Sequence, residues 1–261
     1  MDLQVLVATM HQKDYSLIDK MNINSDAIVI NQCDENSENE IQHDGKKVKW
    51  FNDSDRGLSK SRNMALKHAT GDICVLADDD LEYVENYSDL IIEQFKLHPQ
   101  ADIITFQVEG IEKKFKSYYK ESRKLNYFTS MKISSVEVAF RLEKVKEQDI
   151  KFDENFGAGS RYKMGEENIF LAHCIKNGLK IAYVPVKIAD LHIGESSWFN
   201  GYNKGYFISK GAQFTAMSKS LSLLYILQFA LRKRNLYKKE TSLMNALKIM
   251  LQGRSEYLKL M

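Results

Sequence analysis

The feature that most constrains the fold is a series of short apolar runs, rich in β-branched residues, that alternates with helical patterns. The runs occupy residues 5–8, 27–30, 48–51, 73–77 and 103–108. Buried parallel strands have this composition because helices cover both of their faces. Helical spacing separates several of the runs, most clearly over 87–97. The alternation predicts an α/β fold with a mixed, mainly parallel sheet flanked by helices.

Several local expectations follow from the same reading. Residues 34–47 are polar throughout and are predicted to form a loop. Ser59 is expected to cap a helix that ends near residue 69, before Gly71. A further helix is predicted over 165–177, with a strand over 180–186. Residues 112–149 combine lysines and aromatics with weak periodicity and receive no assignment.

The size and the cysteines favour an intracellular globular protein. A chain of 261 residues can bury the core of one large domain, which we place at 1–205, with an extension at 206–261. Its three cysteines form no CxxC pair, and its first residues resemble a strand rather than a signal peptide. No stretch is long and apolar enough to span a membrane. These features predict a cytoplasmic location.

The charge is distributed unevenly along the chain. Residues 201–261 contain 11 Lys and Arg but only 2 Asp and Glu, a net charge of +9. Because the whole chain carries +2, residues 1–200 carry −7. An acidic body suits chemistry assisted by a cation, and a basic tail suits attachment to an anionic partner.

The basic tail contains two apolar segments. Residues 221–231 are apolar nearly all round and run into Arg232-Lys233-Arg234. Residues 243–251 show the spacing of an amphipathic helix that is expected to end near Gly253. One interpretation places the apolar face of this tail in an anionic membrane surface, at the inner face of the cell membrane, with Arg232-Lys233-Arg234 and Lys238-Lys239 attracting the lipid. The other is a packed helical appendage or an oligomer contact.

Three adjacent acids, Asp78-Asp79-Asp80, follow the apolar run at 73–77. Open α/β sheets bind ligands at the carboxyl ends of their strands. Clustered carboxylates repel one another unless a cation neutralises them, and oxygen ligands suit Mg²⁺ or Mn²⁺. The position therefore predicts a metal-assisted phosphate site; the alternative is a solvated turn.

The residues around the triplet resemble a known family. The segment RGLSKSRNMALKHATGDICVLADDDLEY is similar to the central motif of family 2 glycosyltransferases, which have the GT-A fold. The matching positions are Gly57, Leu58, Ser59, Arg62, Asn63, Gly71, Asp78 and Asp80. Ser61 replaces the usual alanine. The resemblance implies a GT-A-like domain that uses a nucleotide-sugar donor.

By the same resemblance, Thr9 and Asp34 would hold the nucleotide, with Asp34 at the pyrimidine. Asp78 would reach the ribose or the metal. Arg62 would contact the diphosphate or steady the acids; alternatively it is an exposed helix arginine. Asp79 is expected to point elsewhere, because alternate side chains diverge in an extended chain.

Two later segments continue the family order. DLHIGESSW offers His192 as a second metal ligand beside Asp80, although a lone histidine after a strand is often structural. MGEENIFLAHCIKNGLKIAYVP aligns Glu167 with the catalytic base, and Glu166 is its competitor. Both acids would also favour a helix N-terminus without any catalytic role.

Aromatic residues follow the histidine. Trp198, with Phe199 and Tyr202, would line an acceptor groove, since aromatic rings stack on sugar faces; core packing is the alternative.

The resemblance implies an inverting transfer of a hexose from a UDP-sugar to an acceptor hydroxyl, with Mn²⁺ or Mg²⁺. The acceptor would be a glycan or a lipid-linked molecule in cell-surface polysaccharide synthesis. A nucleotidyltransferase is one alternative, but MHQKDYS lacks the Gly-rich loop that would cradle a triphosphate. The other alternative is an inactive membrane-docking scaffold of the same fold. We expect no nucleic-acid partner, and the sequence leaves the oligomeric state open.

Overall fold

The computed structural model describes residues 1–194 and 201–261. Within these ranges ten strands form one mixed sheet. The strands are β1 Leu3–Met10, β2 Asp26–Gln32, β3 Ser37–His43, β4 Lys46–Asp53, β5 Ile73–Asp78, β6 Leu81–Tyr83, β7 Ile103–Gly110, β8 Arg123–Leu125, β9 Val138–Arg141 and β10 Ile181–Leu191. The helices are α1 Leu17–Lys20, α2 Leu58–His68, α3 Tyr87–Leu97, α4 Tyr127–Ser130, α5 Leu142–Glu147, α6 Glu166–Lys176, α7 Lys204–Met217, α8 Ser222–Arg232, α9 Arg234–Tyr237 and α10 Leu243–Leu258.

The sheet has a parallel half and a mixed half. Its order is β3-β4-β2-β1-β5-β9-β7-β10-β6, and β8 pairs with β10 outside this path. Strands β4, β2, β1 and β5 are parallel neighbours, as are β7 and β10. Strand β9 lies antiparallel between β5 and β7. This arrangement confirms the predicted mixed α/β sheet flanked by helices.

Apolar side chains of the predicted runs form the core of the sheet. Val5, Val29 and Val75 are fully buried on neighbouring strands, and α3 adds Ile91 and Phe95. Burial on both faces is what selects continuous apolar runs in parallel strands. The predicted strands therefore appear where the runs are.

The described residues divide into two compact units. The first contains residues 1–56, 60–151 and 174–194, and it holds the whole sheet. The second contains residues 57–59, 152–173 and the described part of 195–261. Residues 152–173 thus associate with the C-terminal helices, and the predicted domain boundary after residue 205 stays a prediction.

The prediction of a loop over 34–47 is wrong, because residues 37–43 form β3. This strand pairs antiparallel with β4 from Ser37 opposite Asn52 to His43 opposite Lys46. It is an edge strand, and most of its side chains are exposed. Backbone pairing with β4 organises it, so an apolar pattern is not needed.

The prediction that Ser59 caps α2 is also wrong, since the helix begins at Leu58. Ser59 is fully buried, and its hydroxyl donates a hydrogen bond of 2.7 Å to the Phe156 carbonyl. The Leu58 amide donates to the Ala158 carbonyl at 2.9 Å. The motif therefore begins with residues that tie residues 57–59 to residues 156–158.

The unassigned segment 112–149 contains short elements joined by a buried ion pair. It comprises β8, α4, a 3₁₀ turn over Ser135–Glu137, β9 and α5. Glu137 is fully buried and accepts hydrogen bonds from Lys116 and Tyr118, both at 2.6 Å. A buried carboxylate requires such partners.

The C-terminal helices α7 and α10 cross at two glycines. A Cβ on Gly211 would lie 1.9 Å from the Met250 carbonyl oxygen, and one on Gly253 would lie 2.1 Å from the Ile208 carbonyl oxygen. Helix α10 continues through Gly253 to Leu258, so the predicted end near Gly253 is wrong. The apolar face of α10 packs against α7, with Met250 fully buried, as the packed-appendage interpretation required.

Across the described ranges, no helix combines the length and the apolar character needed to cross a bilayer.

Candidate functional site

The three acids lie at the carboxyl edge of the sheet. Strand β5 ends at Asp78, which is opposite Ala8 of the parallel strand β1. Asp79 and Asp80 follow before β6 begins. The sequence placed the triplet at this edge, where ligands of open α/β sheets bind.

Asp78 is held by a buried arginine. Arg62 of α2 donates from Nη2 to Asp78 Oδ1 at 2.9 Å, and only 2% of its side chain is exposed. The interpretation of Arg62 as an exposed helix arginine is therefore wrong. The Ser135 hydroxyl donates to the other carboxylate oxygen at 3.4 Å. The arginine steadies the acidic cluster from below the surface.

Asp79 faces the neighbouring strand. The buried Thr9 hydroxyl donates a short hydrogen bond to Asp79 Oδ2, and Gln12 donates to Thr9 Oγ1 at 2.9 Å. Asp79 diverges from Asp78 as expected. It also fixes Thr9, one of the predicted nucleotide contacts.

Asp80 and His192 are neighbours across two antiparallel strands. Leu81 of β6 pairs with Leu191 of β10, so the adjacent Asp80 and His192 come side by side. The His192 amide donates to the Asp80 carbonyl oxygen at 2.9 Å. The structure thus brings together the two predicted metal ligands, which are far apart in sequence.

The environment of Asp80 disfavours its negative charge. Asp80 is accessible to solvent, yet partial burial, followed by the charges of Asp78 and Asp79, raises its pKa to about 6. Like charges disfavour ionisation of a neighbouring acid. A cation at this position would relieve the repulsion.

His192 has a carboxylate partner that sequence reasoning missed. Its Nδ1 lies 3.0 Å from Glu112 Oε1, and Glu112 Oε2 accepts from the Ile193 amide at 2.7 Å. The hydrogen bond from His192 lowers the pKa of Glu112. Metal-binding histidines commonly present their second ring nitrogen to a carboxylate in this way. Glu112 lies in the unassigned segment and carried no pattern.

The donor set fits a divalent ion that takes few protein ligands. Within residues 1–194 and 201–261, no group of three or more His, Cys, Asp or Glu side chains is arranged to hold a metal ion. Mg²⁺ at nucleotide sites is usually held by one or two carboxylates, with phosphate oxygens and water completing its shell. Asp80 and His192 are suited to such an open site.

Asp34 lies after β2 and is paired with an arginine that the sequence did not single out. Arg56 donates from Nη2 to Asp34 Oδ1, and from Nη1 to the carbonyls of Cys33 at 2.7 Å and Ser54 at 2.9 Å. One guanidinium therefore joins the ends of β2 and β4. It fixes the backbone of the predicted base-binding loop while the Asp34 side chain stays exposed.

The two glutamates open α6 in the second unit. Glu166 is buried, and a Cβ on Gly157 would lie 3.4 Å from its carboxylate. Glu167 is half-buried. Gly157 has φ +101°, a conformation that favours glycine. The predicted helix start is confirmed, and both acids lie in its first turn.

A lysine that sequence reasoning missed accompanies these acids. Burial lowers the pKa of Lys210 on α7, while the charges of Glu167 and then Glu166 oppose that shift. Lys210 Nζ donates to Gln213 Oε1 at 2.8 Å, and Gln213 Nε2 donates to Asn168 Oδ1 at 2.8 Å. This chain of contacts anchors the first turn of α6 to α7.

The acceptor prediction at Trp198, and its neighbour Phe199, lie outside the described residues. Tyr202 is described, and its ring packs edge-on against Tyr206 with centroids 5.1 Å apart. Its amide donates to Glu240 Oε2 at 2.7 Å. Tyr202 therefore belongs to an aromatic cluster of the helical unit, as the packing alternative proposed.

Solved structures with a similar fold include residues 1–349 of S. aureus TarS in complex with UDP-GlcNAc. The TM-score is 0.69 at 15% identity, over 97% of this chain and 81% of that chain. The same region of TarS with UDP gives 0.66 at 15% identity and the same coverage of both chains. A longer TarS chain, of which 49% is covered, gives 0.67 at 15% identity over 97% of this chain. A search of curated proteins gave no match. The predicted GT-A-like fold is thereby confirmed.

A comparison of the sequence with protein families identifies its family. The profile of Glycosyl transferase family 2 matches residues 15–167, more than half of the chain. The matched range contains Asp34, Arg62, the acid triplet and both glutamates of α6. The chain belongs to Glycosyl transferase family 2.

Proposed function

We propose that this glycosyltransferase transfers a hexose from a UDP-sugar to an acceptor hydroxyl with inversion, assisted by Mn²⁺ or Mg²⁺. The observation that carries the proposal is the adjacency of Asp80 and His192 at the carboxyl edge of the sheet, beside Arg62-bound Asp78. Family membership favours this activity over a nucleotidyltransferase. The solved complexes of TarS with UDP and UDP-GlcNAc support a UDP-sugar as donor.

In this proposal the nucleotide lies along the ends of β1 and β2. Asp34, fixed by Arg56, receives the uracil, and Thr9 lines the same edge. Asp78 reaches the ribose or the metal. Arg62 acts through Asp78, because it is buried beneath that carboxylate. These roles follow from the predicted motif and from the contacts of each side chain.

Asp80 and His192 Nε2 would hold the divalent ion. When bound, the ion neutralises charge on the diphosphate as it leaves. Glu112 holds Nδ1 of the histidine and so fixes the orientation of the ring. The raised pKa of Asp80 favours the same conclusion, since burial and the charges of Asp78 and Asp79 oppose its negative charge and a bound cation would stabilise it.

The chemical step needs one base. Glu167 would remove the proton from the acceptor hydroxyl as that oxygen attacks the anomeric carbon from the face opposite UDP. The bond between the anomeric carbon and the diphosphate oxygen breaks, its electron pair leaves with UDP, and the configuration inverts. Glu166 is the competing base. Its burial against Gly157 favours a structural role and leaves Glu167 as the better candidate.

A comparison of two variants tests the site. Asp80→Asn should abolish the stimulation of UDP binding by Mn²⁺, measured by calorimetry, and reduce transfer by about 10²-fold or more. Glu167→Gln should retain metal-stimulated UDP binding but lose transfer by a similar factor. Glu82→Gln and Glu143→Gln are matched controls, because both glutamates are exposed and Glu143 also opens a helix.

The proposal fails if neither substitution alters transfer of sugar from a panel of UDP-, dTDP- and GDP-hexoses. Metal-stimulated UDP binding without any transfer would instead favour the inactive scaffold. A screen of this kind also identifies the sugar.

The acceptor is proposed to be a glycan or a lipid-linked molecule in cell-surface polysaccharide synthesis. The net charge of +9 in residues 201–261 supports work at an anionic membrane surface. Association into oligomers is retained as a separate proposal.

A further inference from the structure

Helix α8 exposes a continuous row of leucines. Leu223, Leu224, Leu227 and Leu231 are each 47–56% exposed and share one face of the helix. The opposite face is buried through Tyr225, Ile226 and Ala230. Helix α8 therefore packs through one side, and its leucines form a second apolar side that is exposed to solvent. Contiguous exposed apolar surface of this kind marks a site of interaction.

An apolar groove extends this surface to α10. It encloses about 380 Å³. Its lining residues are Leu223, Ile226, Leu227, Met244, Leu247, Lys248 and Leu251. Met244 is 73% exposed, although it lies in the first turn of an otherwise packed helix. We call the leucine row of α8 together with this groove the leucine face.

Exposed basic residues adjoin the segments that form the leucine face. Arg232 and Arg234 follow the last leucine of α8, and both are exposed. Lys238 and Lys239 are exposed beyond α9, and the exposed Lys248 lies in the groove wall. Residues 201–261 carry only two acids, Glu240 and Glu256. An apolar centre with a cationic rim matches the boundary between acyl chains and anionic headgroups.

We propose that the leucine face docks the enzyme on an anionic lipid bilayer. The leucines enter the interface, and the arginines and lysines contact lipid phosphates. This assigns the surface for the membrane location proposed above, and it narrows the sequence-based expectation, which covered the whole basic tail. Helix α10 does not present Ala246 and Met250 to lipid, because both are buried against α7.

Charge argues for a bilayer rather than a second copy of the chain. A symmetric dimer through the leucine face would place two basic rims together, because such an interface uses the same patch twice. Like charges across an interface oppose association. An anionic bilayer complements both the apolar centre and the rim.

Vesicle flotation of the full chain tests the proposal. The wild type should float with vesicles of phosphatidylglycerol and phosphatidylcholine, and much less with phosphatidylcholine alone or at raised salt. Leu224→Asp combined with Leu227→Asp should weaken binding by about 100-fold, since each apolar contact is replaced by a charge that lipid phosphates repel. Leu97→Asp is the matched control, because Leu97 is 61% exposed and lies at the end of α3 in the sheet unit.

A second variant avoids the leucines. Arg232→Gln with Arg234→Gln should lower binding to anionic vesicles by about 30-fold and make it less sensitive to salt. Circular dichroism and thermal melting check that each variant is folded. Sugar transfer measured without vesicles separates failure of the docking idea from failure of the proposed transfer activity.

Three outcomes would overturn the inference. The wild type fails to float with anionic vesicles, or the leucine variant floats as well as the Leu97→Asp control. In the third, the wild type is a dimer that the leucine substitutions convert to a monomer, which would assign the leucine face to contacts between copies.

Discussion

Asp80 is an acid of the site whose ionisation is opposed by its surroundings. Burial, followed by Asp78 and Asp79, raises its pKa to about 6, whereas Asp78 has the guanidinium of Arg62. In the metal-free protein, the charged carboxylate of Asp80 therefore costs stability above that pKa. The cost falls as the pH decreases from about 6 toward the ordinary value of 3.8, because the folded state then binds the proton.

This shift predicts how metal affinity depends on pH. Affinity for Mn²⁺ in the presence of UDP, measured by calorimetry, should decrease as the pH falls through about 6, because the proton and the metal compete for one carboxylate. Asp80→Asn should bind the metal weakly at every pH. The same variant should raise the melting temperature of the metal-free protein at neutral pH, since it removes the repelled charge.

Glu82→Gln serves as the control for both measurements, because Glu82 is exposed in β6, two residues from Asp80. A metal affinity independent of pH in the wild type would contradict the assignment of Asp80 as a ligand.

At the scale of elements, the crossing of α7 and α10 makes a prediction about two glycines. Gly211→Ala and Gly253→Ala should each destabilise the helical unit by about 1–3 kcal/mol or more, although alanine is the better helix former. The added methyl group would meet a backbone carbonyl at about 2 Å, and only separation of the helices relieves that contact.

Chemical denaturation followed by circular dichroism measures the effect. Gly194→Ala is the control, because a Cβ there meets no atom of the described residues within 4 Å. If the glycine variants are as stable as wild type, the close crossing is wrong.

Apolar runs predicted most of the central strands because burial on both faces leaves a local signature. Strand β3 left none, since most of its residues are exposed and its order comes from pairing with β4. The secondary structure of segment 112–149 was not predicted, for a related reason. Glu137 is buried there because Lys116 and Tyr118, about twenty residues earlier, supply its partners. Gly253 was ambiguous, since a glycine that ends a helix and one at a helix crossing look the same in sequence.

The candidate site likewise contains some residues that the sequence predicted and others that it did not. The motif resemblance predicted Asp80 and His192, and the strand register brings them together. Glu112, Arg56 and Lys210 are isolated charged residues in sequence, and only the fold gives each its partner. A motif therefore predicts the residues that are expected to contact ligands. The residues that orient them depend on contacts distant in sequence, and a motif does not predict them.

At the scale of the molecule, the three cysteines report on the integrity of the sheet unit. Burial raises the pKa of Cys74, on β5, to about 12, and it also raises that of Cys174 on α6. Cys33 is partly exposed beside the predicted base site. A maleimide at neutral pH should therefore modify Cys33 rapidly and the other two at the rate at which the unit opens.

UDP should slow the modification of Cys33, since Cys33 adjoins Asp34 and its carbonyl is bound by Arg56. Mass spectrometry of peptides measures each site, and denatured protein gives the reference rate for all three. Equal native rates for the three thiols would contradict the buried positions. Protection of Cys33 by UDP but not by uncharged sugars would locate the nucleotide.

The position of β9 has a consequence for synthesis on the ribosome. The acid-bearing strand β5 is flanked by β1, made earlier, and by β9, which emerges only after α3, β7 and β8 have been translated. Until then one edge of an almost wholly apolar strand has no partner. A nascent chain stalled before residue 138 would therefore expose the unpaired edge of β5 to other polypeptides. Binding of chaperones to the nascent chain should be strongest at that length.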